Sequence, residues 1–342
     1  MLARAPAFWW HEEAGWQARI LGPAAALYGA VSGRRMARGV RAEAGLPVIC
    51  VGNFTVGGGG KTPTALALGR AALALGRRPG FLTRGHGGRG GAAVLADPAR
   101  HDAARVGDEA MLLAALAPTA VAADRLAGAR LLAQAGCDLA IMDDGFQSAR
   151  LRADLSLIVV DAGRGLGNGR VLPAGPLRAP LGRQLADADA LLAIGEGRGA
   201  DQAADLAQRA GKPLLRARSL APNASAFAGQ RVLAFCGIAD PSKFHRSLED
   251  AGAEIVASTD FPDHHMFTPD EARALLSEAD SLGLMLATTA KDHARLGSAT
   301  GVGAALGARA SVLEQVLRFE HTSDAGDLVT QALQSFARRS AS

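Results

Sequence analysis

Lys61 and Thr62 stand where a glycine run meets an alanine-rich segment, and the chemistry of the chain is most legible there. The stretch Asn53-Phe54-Thr55-Val56-Gly57-Gly58-Gly59-Gly60-Lys61-Thr62-Pro63 follows a short apolar run, Leu46 to Gly52, that reads as a buried strand. A helix-like Ala/Leu segment continues to Gly76. Strand, glycine loop, Lys-Thr and helix make the layout of a phosphate-binding loop. Backbone N–H groups cradle phosphate, the helix N-terminus adds positive potential, the lysine reaches the terminal phosphates and the threonine hydroxyl ligates magnesium. Pro63 suits a first helical turn. Strict spacing would place glycine at position 55, where Thr55 stands, so the motif is a variant. A flexible glycine linker is the competing reading, but a linker would not be bracketed by a buried strand and a helix.

Such a loop needs a carboxylate on a neighbouring strand to hold magnesium. Leu139-Ala-Ile-Met-Asp143-Asp144-Gly145 supplies an apolar strand ending in two aspartates, placing Asp143 at a sheet edge, where α/β folds bind ligands. Asp108 and Glu109 open an apolar segment and, by themselves, read as acidic residues favoured at a helix N-terminus. After a further strand at 155–160, the loop from Gly163 to Arg178 is glycine-rich and carries Asn168, Arg170 and Arg178, as expected of a loop that reads anionic or hydroxylated groups. Phe261-Pro-Asp-His264-His265 follows a strand. Either histidine could cap the helix starting at Thr268, or one could serve as a base or orient one. Metal binding by the adjacent pair is disfavoured, since neighbouring side chains diverge. Thr289-Ala-Lys291-Asp292 lacks the spacer residue a guanine-binding motif needs, so GTP specificity is unsupported.

These residues need elements to position them. Strand-like runs recur at 188–194, 231–236, 254–258 and 284–289, alternating with helix-like stretches at 201–211, 241–252, 268–282 and 324–338. The alternation predicts an α/β chain: a P-loop NTPase-like parallel-sheet core over 46–220, a smaller α/β domain over 221–342, and a linker within 216–230. A length of 342 residues with 49% apolar and 20% charged content suits two such domains and excludes a disordered chain. The net charge of +4 is too mild to imply nucleic acid, and no obligate protein partner is evident. Cys50, Cys137 and Cys236 each sit in an apolar run without CxxC spacing, as buried free thiols would.

All the tryptophan and tyrosine of the chain, Trp9, Trp10, Trp16 and Tyr28, lies near the N-terminus, where His11, Glu12 and Glu13 interrupt any secretion-signal pattern. The uncharged segment Ile20–Gly33 would extend about 21 Å as a helix, short of the roughly 30 Å hydrocarbon core. Arg19 flanks it on one side and Arg34, Arg35, Arg38 and Arg41 on the other. A helix docked on its own domain and an amphipathic helix in an anionic membrane interface both fit residues 1–45.

Taken in order, VGNFTVGGGGKTP at 51–63, LTRGHGG at 82–88, VGDEA at 106–110, LAIMDDGFQ at 139–147, GNGRVLPAGPLR at 167–178, FCGIADPSKF at 235–244 and FPDHHMF at 261–267 resemble the tetraacyldisaccharide 4'-kinase family. The resemblance spans nearly the whole chain. It implies transfer of the ATP γ-phosphate to the 4'-hydroxyl of a tetraacyldisaccharide 1-phosphate, giving lipid IVA in lipid A biosynthesis at the cytoplasmic face of the inner membrane. Carried onto this sequence, it assigns residues 55–62 to ATP, and Thr62, Asp143 and Glu109 to magnesium. It makes Asp108 the catalytic base with His264 orienting it, Lys61 a catalytic cation, and Asn168, Arg170, Arg178 and Gln147 the disaccharide contacts. A four-chain lipid substrate favours the membrane-surface reading of the N-terminal helix. His86, Ser148 and Ala179 depart from the residues usual in the family. Competing classes are a membrane-bound regulatory P-loop switch, which needs neither the 168–178 loop nor an Asp108–His264 pair, and a scaffold with a degenerate nucleotide site, which would not retain Lys61, Thr62 and Asp143.

Overall fold

The computed structural model describes residues 5–11, 13–39, 41–85, 92–148, 150–297 and 299–341. His86 and Glu12 lie outside them. The strands are β1 Val48–Asn53, β2 Pro79–Thr83, β3 Val94–Ala96, β4 Thr119–Val121, β5 Leu139–Asp143, β6 Leu155–Asp161, β7 Ala190–Ile194, β8 Leu214–Leu220, β9 Arg231–Cys236, β10 Glu254–Asp260, β11 Met285–Thr289, β12 Ser311–Leu313 and β13 Val316–Phe319. Helices α1 Trp16–Ile20 and α2 Gly22–Arg38 precede β1, and α3 Lys61–Ala74 follows it. Next come α4 Ala103–Val106, α5 Asp108–Ala114, α6 Arg125–Gln134, α7 Leu181–Ala186 and α8 Arg198–Ala210. The last five are α9 Pro241–Asp250, α10 Pro269–Leu282, α11 Ala290–Leu296, α12 Val302–Arg309 and α13 Asp324–Ser340.

Two sheets result, as the β/α alternation predicts. The larger runs β13-β8-β7-β6-β1-β5-β2-β4-β3 and is parallel except at its two edges, where β13 and β3 pair antiparallel with β8 and β4. The smaller runs β10-β9-β11-β12 with parallel pairing throughout. Every residue of β1 is buried because helices cover both faces of the sheet. Alternate side chains go to opposite sides: Val48 and Cys50 pack with Leu132 of α6 and Ala203 of α8, whereas Ile49 and Val51 pack with Leu68 of α3 and Val329 of α13.

The chain's end does not stay with the smaller sheet. Val316 pairs with Leu220, and α13 packs against α3, so residues 316–340 complete the larger unit. Arg339 anchors that return through Asp154 at 2.7 Å and Glu43 at 2.7 Å. The expected linker over 216–230 is likewise corrected, since its first residues are β8. Arg216, Arg218 and Ser219 give that strand a polar, partly exposed pattern, which reads as loop in sequence and as a near-edge strand in the fold.

At the N-terminus the tryptophans divide. Trp9 is 6% exposed and donates its indole N–H to the Pro173 carbonyl at 3.0 Å, while Trp10 lies beneath the Arg164 guanidinium. Both belong to the body of the protein, which corrects the grouping of all three with an interfacial helix. The small face of α2, with Ala25, Gly29 and Met36 buried, sits against Val171 and Pro180. Trp16, Ile20, Leu27 and Val31 stand four, seven and four residues apart and are all more than 60% exposed. No helix among the described residues is long and apolar enough to cross a membrane.

Gly52, near the end of β1, shows how closely the core is set beneath the site. A Cβ there would lie 2.4 Å from Cβ of Phe146, a rigid neighbour just beyond Asp143 and Asp144. Gly52→Ala should destabilise the protein by about 1–3 kcal/mol, the usual cost of overpacking. An unchanged urea-unfolding midpoint would show that Phe146 moves aside freely.

Candidate active site

The loop after β1 wraps the N-terminus of α3. Gly57 and Gly60 have φ of 98° and 86°, the left-handed region open to glycine, and a Cβ at Gly60 would meet Cδ1 of Ile194 at 2.6 Å. At Gly57 and Gly58 nothing lies within 4 Å of an added Cβ, so that part of the loop faces open space. The loop is anchored from the opposite side: Val56 N–H donates to the Pro176 carbonyl, and Arg178 N–H to that of Phe54, each at 2.9 Å.

Parallel pairing of β1 with β5 brings Val51 level with Asp143 and so sets the two aspartates beside the loop. The Thr62 hydroxyl donates to Asp143 Oδ2 at 2.8 Å. Asp143 Oδ1 is buried with no hydrogen-bond partner. Burial first, then the charge of Glu109, push the Asp143 carboxyl up to about 7. A buried oxygen lacking a donor, beside a threonine hydroxyl and a second carboxylate, is the donor set a divalent cation requires, so the residues fit magnesium.

Asp144, held at φ 56°, turns toward the cations. Arg178 grips it with two guanidinium bonds, at 2.9 and 3.2 Å, and donates Nε–H to the Thr55 carbonyl at 2.9 Å. Lys61 Nζ lies 3.8 Å from Asp144 and 3.3 Å from the Gly57 carbonyl. Burial would raise the Asp144 carboxyl, but Lys61 and Arg178 outweigh it and hold it low. For Lys61, burial dominates and lowers the ammonium pKa despite Asp144.

The second cluster joins the two sheets. Asp108, at the start of α5 and 3% exposed, meets His264 Nδ1 at 3.2 Å from both carboxylate oxygens. Arg295 donates to Asp108 through Nε at 2.9 Å and through a second, closer guanidinium nitrogen. The same guanidinium bonds the Gly237 carbonyl and Asp292. Glu109 accepts from Lys291 Nζ at 2.6 Å. Burial would raise Asp108, yet the His264 hydrogen bond and the Arg295 and Lys291 charges hold it well below the usual carboxylate range. His264 is raised from 6.5, chiefly by its hydrogen bond to Asp108.

Sequence reasoning missed Arg295 and Lys291. Their spacing four apart, after a strand, was the available signal, because it puts both on one face of a short helix. The two histidines separate in role: His265 bonds Glu271 in the first turn of α10 at 2.9 Å and stacks on Phe261, whereas His264 reaches Asp108 of α5. Two expected substrate contacts are occupied as scaffold. Asn168 donates to the Ala174 carbonyl at 2.9 Å and accepts from Arg170 N–H, and Gln147 donates to the Asn53 carbonyl at 2.7 Å and to Gln184. Arg170 is exposed. Ala179 is fully buried, and the Ser148 hydroxyl is buried without a partner.

A glycine loop at the end of a central parallel strand, a Thr-Asp pair beside it and a carboxylate–imidazole pair supplied across two sheets define a P-loop phosphotransferase. The sequence profile described as Tetraacyldisaccharide-1-P 4'-kinase matches residues 17–334, and the chain belongs to that family. Proteins of Brucella melitensis and Brucella suis named Tetraacyldisaccharide 4'-kinase are each 50% identical to it over 339 residues, covering 99% of both chains. A crystal structure of LpxK from Aquifex aeolicus in complex with ATP shares the fold, with a TM-score of 0.70 and 24% identity over 92% of this chain and 99% of that one.

The Asp108–His264 pairing has a titratable consequence. Because the bond raises His264, its contribution to stability is complete below the unfolded value near 6.5 and is lost as pH rises through the raised folded value. In Asp108→Asn the imidazole titration followed by NMR should move down. An unmoved titration would place the cause elsewhere.

Proposed function

We propose that the chain transfers the γ-phosphate of ATP to the 4'-hydroxyl of a tetraacyldisaccharide 1-phosphate, giving lipid IVA at the cytoplasmic face of the inner membrane. The observation that carries this reading is the convergence of Lys61, Thr62 and Asp143 with the Asp108–His264 pair around one open loop. Residues 55–62 would cradle the phosphates, with Lys61 on the terminal ones. Thr62 and Asp143 would hold magnesium, with Glu109 nearby, and the bound ion would neutralise charge on the phosphoryl oxygens. Lys61 enters with its ammonium desolvated, where its charge acts strongly.

The acceptor oxygen bonds to the γ-phosphorus as the bond to the bridging oxygen breaks, and the hydroxyl proton passes to the Asp108–His264 pair. Asp108 is fully engaged by Arg295, Glu109 N–H and His264, and is held ionised. The proton therefore comes to rest on the imidazole, whose basicity Asp108 raises. This modifies the roles implied by the resemblance, in which Asp108 is the base and His264 its orienter. The exposed Arg170 is the cation on the loop that would meet an anionic sugar phosphate first, and Arg178 would have to share its guanidinium with Asp144 to join it; Asn168 shapes the loop through the Ala174 carbonyl.

Purified protein given ATP, magnesium and tetraacyldisaccharide 1-phosphate should yield the bis-phosphorylated lipid; a folded protein giving none would overturn the assignment. Lys61→Ala and Asp108→Ala should each lower turnover at least about a hundredfold, the scale of lost electrostatic and acid–base catalysis. A near-normal rate in either removes that residue from the mechanism.

The acyl chains of the substrate reside in a bilayer, and the exposed stripe of Trp16, Ile20, Leu27 and Val31 supplies the apolar side of a peripheral contact. Arg34, Arg35 and Arg38 follow it and suit anionic lipid. Replacing the four stripe residues with serine leaves buried Trp9 in place and should release the protein from anionic vesicles. Unchanged vesicle binding would return the helix to a purely structural role.

A further inference from the structure

The smaller sheet carries a second cluster of ligating side chains that phosphoryl transfer does not use. Cys236 ends β9, Asp260 ends the adjacent β10 in direct register with it, and His245 projects from α9. Cys236 Sγ, His245 Nε2 and a carboxylate oxygen of Asp260 all lie within 4.8 Å of one another. Among the described residues, no other group of three or more His, Cys, Asp or Glu side chains converges in this way.

Two of the three separations are close to those of a metal site. Bond lengths of about 2.3 Å to sulfur and about 2.0–2.2 Å to nitrogen and oxygen place the S···O and N···O edges of a zinc tetrahedron near 3.6 and 3.4 Å. Here Cys236 Sγ to Asp260 Oδ1 is 3.8 Å, and His245 Nε2 to Asp260 Oδ1 is 3.2 Å. Despite that proximity, Nε2 is buried with no hydrogen-bond partner. The Cys236 thiol donates a long hydrogen bond to Asp260 Oδ1, which a bound ion would replace, while the buried His245 Nε2 has no donor aimed at it. The site also lies at the carboxyl ends of parallel strands, where α/β sheets bind ligands.

We propose that Cys236, His245 and Asp260 bind zinc, with water as the fourth ligand on the exposed side of Asp260. A thiolate, an imidazole and one carboxylate select zinc over magnesium, which takes oxygen ligands, so this site and the P-loop site do not compete for one ion. On binding, the Cys236 thiol proton passes to bulk water as the S–Zn bond forms. The metal would join the ends of β9 and β10 to α9, immediately before Gly237 and the Phe261–His264 segment. That segment is already tied to β9, since Phe261 N–H donates to the Cys236 carbonyl at 2.8 Å.

The test uses the full chain, stripped of metal and titrated with cobalt(II) as a spectroscopic stand-in for zinc. One cobalt per chain should bind with a thiolate charge-transfer absorption, and zinc should displace it stoichiometrically. Cys236→Ser should abolish that absorption, whereas Cys50→Ala and Cys137→Ala should retain it. Asp260→Asn, at an exposed position that leaves the fold intact, and His245→Ala should each weaken binding by more than about a hundredfold, beyond the 10–100-fold cost of disturbing a ligand's supporting contacts. Absence of a thiolate band in the wild-type chain, its persistence in Cys236→Ser, or undiminished affinity in Asp260→Asn would each overturn the proposal.

Discussion

A carboxylate buried where two sheets meet cannot be left without counter-charge. Asp108 is 3% exposed, and its nearest cationic partners, Arg295 and His264, both come from the smaller unit. Removing either partner would leave the other charges of the cluster uncompensated, which costs far more than an exposed pair contributes. The smaller sheet is thereby fixed over the larger one at the point where chemistry is needed. Glu109–Lys291 lies beside this contact, and Arg164–Asp240 and Asp161–Lys243 tie α9 to the end of β6.

The same constraint explains why the site contains opposed electrostatic environments within a short span. Asp143 is raised by burial and by Glu109, and so needs a cation, while Asp144 is held low by Lys61 and Arg178, and Asp108 by its His264 hydrogen bond and Arg295. One carboxylate is prepared for an arriving charge and two for holding resident ones. Lys61 lies 3.8 Å from Asp144 and 3.3 Å from the Gly57 carbonyl.

Much of this was legible in the residue pattern, because local chemistry leaves local signals. The strand, glycine loop and helix around Lys61 are contiguous, and Asp143 ends an apolar run, so their meeting follows from parallel pairing. The family resemblance supplied Asp108 with His264, residues 156 positions apart that the structure brings to 3.2 Å. What stayed hidden depends on long-range closure. Arg295 reaches Asp108 across 187 positions, and its spacing from Lys291 marks a shared helix face but not the partner that face meets. The return of β13 to β8 converts an apparent linker into a strand, because pairing rather than composition decides the fate of Leu214–Leu220. Asn168 and Gln147 have the chemistry of sugar ligands, but the backbone carbonyls around them claim their donors first.

Asp108 from α5 and His264 from the loop after β10 are proposed to act as one proton-accepting unit. A double-mutant cycle on kcat/KM with Asp108→Asn, His264→Gln and the combined variant tests it most directly. If they do, either single change costs nearly as much as both together. Losses that simply multiply would contradict it, because the two side chains would then be contributing independently.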